Sequence, residues 1–118
     1  MYDGLVTPYE EMREDERTAF AGLVRLMTRM DGVLSSEEVA AVSALAREIE
    51  APNLWSLMNE TSLLERAELV LLIDDIRPEM RSWIHGVLTR IAQADGIDEA
   101  ELELLSWLEG RWNLASLA

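Results

Sequence analysis

Neither cysteine nor lysine occurs in this 118-residue chain. Without cysteine there is no disulfide, no thiolate nucleophile and no sulfur ligand for a soft metal. Without lysine there is no lysine-based covalent chemistry, and every basic residue is an arginine, whose rigid fork suits fixed contacts to carboxylates. Histidine occurs once, at His85. No apolar run approaches the roughly 20 residues that a membrane-spanning helix needs. The opening stretch, MYDGLVTPYEEMREDE, has neither the basic nor the apolar region of a signal peptide, so a cytoplasmic protein is expected.

What is abundant is acid. Asp and Glu number 23 against 10 basic residues, a formal charge of −13. Such a chain repels nucleic-acid backbones and anionic membrane surfaces. It favours a protein partner with a basic surface, or a cation. Apolar residues make up 49% of the chain, enough for one real core in one domain. Residues 1–14 read as an N-terminal acidic segment, and 15–118 as a single domain.

The apolar spacing is helical almost throughout, so the expected fold is all-α. Stripes run along Phe20, Leu23, Val24, Met27 and Met30, along Val39, Val42, Leu45, Ala46 and Ile49, along Met80, Ile84, Val87, Leu88 and Ile91, and along Leu104, Leu105, Leu108 and Trp112. The spacing predicts helices over 15–31, 36–49, 62–76, 79–95 and 99–112, with a short helix opening at Pro8. ETSLLERAELVLLIDDI starts with a Ser62/Glu65 capping pattern and is apolar nearly all round from Leu69 to Ile73, which predicts a central, buried helix. A short linking helix follows Pro52, capped by Asn53, and Pro78 opens the next one.

The chain repeats itself. With Asp31-Gly32 aligned on Asp95-Gly96, Phe20 meets Ile84, Gly22 meets Gly86, Val24 meets Leu88 and Met27 meets Ile91. After the glycine the first copy carries one extra residue, and Glu38 meets Glu101. Two helix–corner–helix units of this kind suggest a pseudo-two-fold helical array.

Local physics accounts for most of each corner. Gly32 and Gly96 suit the left-handed conformation that ends a helix, and Val33 and Ile97 fall where such an end makes its apolar contact. Ser35 with Glu38, and Asp98 with Glu101, read as capping boxes. Asp31 and Asp95 are left over, because a carboxylate at a helix C-terminus opposes the macrodipole. Backbone N–H groups of the corner, an arginine or a cation are the candidates to hold them. An EF-hand is excluded, since that loop needs alternating acids, a glycine at its sixth place and a glutamate at its twelfth. A cation at the second corner would use Asp95, Asp98 and Glu101, and one at the first Asp31 and Glu38, plus Glu37; oxygen ligands favour Mg²⁺, Ca²⁺ or Mn²⁺.

A helix ending in ADG, with a Glu six or seven residues after the Asp to open the next helix, resembles the TerB-like (tellurite-resistance TerB) domain family. The resemblance is best over IDDIRPEMRSWIHGVLTRIAQADGIDEAELELLSWLEGRWNL, and RMDGVLSSEE carries the motif in the first half, so it spans about residues 15–114. It implies an all-helical fold of two similar halves and a bacterial stress-response or defence setting. It also implies metal-binding acids, which here are Asp31, Glu38, Asp95 and Glu101. The first corner departs from the motif, with Met30 in place of Ala.

Other residues read more plainly. His85 falls beside its helix stripe, as a surface or boundary histidine with no partner at a suggestive spacing. EEMREDER reads as a solvated helix start, and Leu54, Trp55 and Met58 either cap the core or form a docking patch. With no nucleophile–base pair and no phosphate loop, the expectation is a non-catalytic interaction module without a cofactor. The alternative is a divalent-cation-binding module at the two corners.

Overall fold

A computed structural model describes residues 8–28, 35–96 and 99–114. Seven α-helices follow one another among them: α1 (Pro8–Glu11), α2 (Glu14–Thr28), α3 (Ser36–Glu48), α4 (Leu54–Glu60), α5 (Arg66–Asp74), α6 (Pro78–Ala92) and α7 (Glu99–Trp112). Short 3₁₀ turns, Thr61–Leu63 and Gln93–Asp95, precede α5 and continue α6. The fold is all-helical, with no strand among the described residues, and no described helix is long and apolar enough to cross a membrane.

The helix starts follow local chemistry. Ser35, in an extended conformation, accepts the Glu38 N–H at 3.0 Å and donates its own N–H to Glu38 Oε1 at 3.1 Å, closing the capping box. Pro78 opens α6, and the residue before it, Arg77, is extended as the proline ring requires. Asn53 precedes α4 but makes no side-chain cap bond. Ser62 is not a cap either. It donates to the Asn59 carbonyl, and α5 starts later, where the Glu65 N–H donates to Glu68 Oε1 at 2.9 Å.

The central helix is α2, not α5. Every residue from Ala19 to Val24 is buried, and α4, α5 and α6 all pack on it. Ala19, Ala21 and Gly22 let neighbours approach closely, while Phe20 makes an edge contact with Tyr9, ring centroids 5.7 Å apart, and a tilted one with Trp83. Each such aromatic pair adds about 0.5–1.5 kcal/mol beyond the area it buries. In α5 only Leu69 and Ile73 are buried, and Leu71 is 69% exposed. An all-round apolar sequence there marks a helix with one face on the core and another at the surface. Tyr9 and Met12 belong to the core, so the packed unit begins ahead of residue 15.

Several residues that the sequence alignment of the two halves pairs are alike in burial. Phe20 and Ile84, Val24 and Leu88, Met27 and Ile91, Val42 and Leu105, and Leu45 and Leu108 are buried pairs in the aligned register. Helices α3 and α7 also stop in the same way. Glu50 and Asn113, aligned by the register that pairs Glu38 with Glu101, are the two non-glycine residues of positive φ (54° and 56°) among the described residues. The next residue closes each end, Ala51 N–H on Ala46 O and Leu114 N–H on Glu109 O, both at 2.9 Å or less. Packing around the halves differs: α7 lies along α6, whereas α3 lies against α6 and the 93–95 turn rather than along α2. Gly96 has positive φ (91°) with ψ of 133°, an extended glycine-only conformation rather than the left-handed helical one expected.

Candidate functional site

Of the acids singled out at the corners, Asp31 and Asp98 lie outside the described residues, as does the side chain of Asp95. Glu38 is buried and used by its capping box. Glu101 is buried at the matching place in α7. No group of three acids or histidines spaced to hold a metal occurs among the described residues. Leu54 and Met58 are fully buried and Trp55 is partly buried against the core, so these three contribute to capping it.

The strongest electrostatic feature sits where the sequence suggested plain solvation. Glu16, within the EEMREDER run, is 1% exposed. Its carboxylate accepts the Arg13 N–H at 2.8 Å, the Arg77 N–H at 2.9 Å, and Nε and Nη2 of the Arg77 guanidinium. Burial alone would raise its pKa; the Arg77 guanidinium bonds and the two backbone bonds outweigh that and lower it to about 2. One carboxylate thus serves the starts of two helices, reaching back to Arg13 ahead of α2 and across 61 residues of chain to Arg77 ahead of α6. Arg77 also donates to the Glu11 carbonyl, and Arg13 to the Asp75 carbonyl.

His85 is buried rather than at the surface. Its Nε2 lies 3.0 Å from Glu109 Oε2 of α7, within ion-pair distance, and makes no hydrogen bond. Helix α7 packs over this side of α6, a cover that the spacing of one helix cannot reveal.

A cleft of about 290 Å³ opens between α5 and α7, with α2 as its floor. Leu69 and Val70 of α5 face Leu104 and Trp107 of α7, and Arg25 and Leu26 of α2 lie beneath. At one end Asp74 and Arg111 join the C-termini of α5 and α7 through a forked ion pair, and the Trp112 Nε1–H reaches the Ile73 carbonyl. Arg66 lines the cleft from the start of α5. Arg25 Nε is buried there with no hydrogen-bond partner, an arrangement that costs about 1–3 kcal/mol for an ordinary polar group. Gly22 shapes this floor, because a Cβ there would stand 2.6 Å from Leu69 Cδ1. Gly86, its partner in the repeat, has open space instead, so the two aligned glycines differ in their surroundings.

The fold has a solved counterpart. The crystal structure of a protein of unknown function from Porphyromonas gingivalis W83 is similar to this chain, with a TM-score of 0.68 and 20% identity. The match covers 91% of this chain and 83% of that one. At this identity the likeness is one of fold. No family model and no curated protein matches the chain.

Neither the Glu16 cluster nor the cleft was among the residues singled out from sequence. The one available signal for the first was Glu16 three residues after Arg13, the spacing of a helix-start acid that bonds back to the chain. For the cleft it was the apolar surplus on α5, read as depth in the core.

Proposed function

We propose that this chain is a non-catalytic, TerB-like binding module that docks a basic segment of a partner protein in a bacterial stress-response or defence system. The carrying observation is the convergence of two acidic runs. Residues 10–16 and 75–79 together hold seven carboxylates against two arginines, a net charge of −5. Arg13 joins the runs by contacting Asp15 at 3.7 Å and Asp75 at 3.6 Å. Arg77 feels the charges of both Glu11 and Glu79. Its guanidinium is turned inward onto Glu16, leaving outward acids in excess on this end of the molecule. Such a face attracts cationic segments and accelerates their encounter at low salt.

The test uses a fluorescent oligo-arginine peptide as probe, followed by anisotropy at low and high salt. Neutralising Glu11→Gln, Asp15→Asn and Glu79→Gln together should weaken binding by about tenfold at low salt, three charges of modest worth each. Neutralising Glu37→Gln, Glu48→Gln and Glu50→Gln on and after α3 should leave it nearly unchanged. Equal losses in both variants would reduce the effect to net charge and end the docking-face reading.

The second reading, divalent-cation binding at the corners, draws support from Glu38 and Glu101, which are buried at matching places. Calorimetry with Mg²⁺, Ca²⁺, Mn²⁺ and Zn²⁺ tests it. A cation held by Asp95 is lost on Asp95→Asn, whereas a local backbone bond survives that change.

A further inference from the structure

We propose that the cleft between α5 and α7 binds a small anionic amphiphile, a medium-chain apolar tail with an oxyanion head. The site is independent of the acidic face and uses chemistry of the opposite sign. Its volume, about 290 Å³, lies at the small end of ligand clefts. Its walls are aliphatic and aromatic, with Leu69 and Val70 opposite Leu104 and Trp107.

The polar part of the lining decides the head group. Most described arginines are engaged: Arg13, Arg77 and Arg111 on carboxylates, Arg90 on Glu48, and Arg17 and Arg81 on backbone carbonyls. In a chain with 23 acids and 10 arginines, carboxylate partners are plentiful. Among the described residues, Arg25, Arg47 and Arg66 nevertheless have side chains without an ion pair or hydrogen bond, and two of these three line this one cleft. Arg25 has its Nε buried and unpartnered at the cleft floor. A buried donor without an acceptor is costly, and an oxyanion is the acceptor that a guanidinium fork fits best. Salt screens charges more than about 8 Å apart at physiological ionic strength, so most of the −13 charge, spread over the rest of the molecule, is damped at this cleft.

Gly22 lets the Leu69 wall settle onto α2, since a Cβ there would stand 2.6 Å from Leu69 Cδ1.

The experiment titrates the full chain with decanoate and decyl phosphate by calorimetry at physiological salt, with decanol and decylammonium as controls. Sedimentation gives the oligomeric state. Both anions should bind more tightly than the controls, and the tighter of the two identifies the head as carboxylate or phosphate. Arg66→Gln and Arg25→Gln should each weaken anion binding by about tenfold or more while leaving decanol unaffected. Val70→Phe, which fills a half-buried wall position, should abolish binding of all four. Thermal melts establish that each variant folds; should Arg25→Gln fail to fold, the exposed Arg66 decides. Anion binding indifferent to both arginines, or decylammonium binding as well as decanoate, overturns the proposal. So does a dimer that dissociates on Val70→Glu, because a second copy would then be the occupant.

Discussion

Replacing Glu16 by glutamine tests whether the buried carboxylate between Arg13 and Arg77 anchors the fold. Glutamine keeps the shape and one carbonyl acceptor but not the charge. The carboxyl titrates near 2 in the folded chain against an ordinary 4.5. That difference corresponds to about 3 kcal/mol of coupling between ionisation and folding. It is an upper figure, since the Arg77 side chain is 35% exposed and its charge is partly screened. Against a total stability of about 5–15 kcal/mol the loss would be easy to see. The folded pKa is depressed, so the contribution is fully present above the unfolded value near 4.5. It drains away as pH falls from there toward 2. Urea unfolding from pH 7 to pH 2 should therefore show Glu16→Gln less stable than wild type by about 2–3 kcal/mol at neutral pH. The two curves should converge below pH 4.5. A constant gap across that range, or a neutral-pH loss below about 0.5 kcal/mol, would mean that the charge contributes nothing and that packing alone fills the site.

The remaining predictions concern glycines and helix ends. Gly86→Ala, in open space within α6, should stabilise by up to about 1 kcal/mol, which for a chain of this length raises the melting temperature by roughly 4 °C. Gly22→Ala should show none of that gain in the same melt, because its Cβ would stand 2.6 Å from Leu69 Cδ1 and shifting that buried side chain offsets the helix preference of about 1 kcal/mol. Glu50→Gly should raise the melting temperature, because the left-handed conformation there costs a side-chain residue about 1–2 kcal/mol that glycine does not incur. Ser35→Ala should cost about 1 kcal/mol in urea unfolding through loss of the Glu38 N–H bond.

Much of the fold was legible because helices announce themselves locally. The stripes, the Ser35–Glu38 box and the Pro78 start each rest on residues within a few positions of one another, and each recurs among the described residues except that Val39 of the second stripe is exposed. Depth was not legible in the same way. Leu69 to Ile73 has the stronger apolar composition, yet α2 takes the centre because small Ala19, Ala21 and Gly22 admit three neighbours. A hydropathy pattern rewards large side chains and does not register the room that small ones leave. Glu16 and His85 were misread for a related reason. What buries them, Arg77 in one case and α7 in the other, is supplied by residues far along the chain. The cleft combines both effects, with an apolar wall from α5 and arginines from α2 and α5 whose lack of carboxylates only the assembled helices reveal.

The Glu16 carboxylate has a further consequence for how the molecule opens. It holds the amides of Arg13 and Arg77, so neither proton is free to exchange with solvent while the carboxylate stays in place. Fraying of α1 alone would break the Arg77 bond to the Glu11 carbonyl but leave both amides protected. Releasing either amide requires the carboxylate to leave, and that exposes the other. In a native-state hydrogen-exchange experiment the two amides should report one opening event, with the same free energy and the same denaturant dependence. The corner ahead of α2 and the corner ahead of α6 would then be one cooperative unit, although 61 residues of chain separate Glu16 from Arg77.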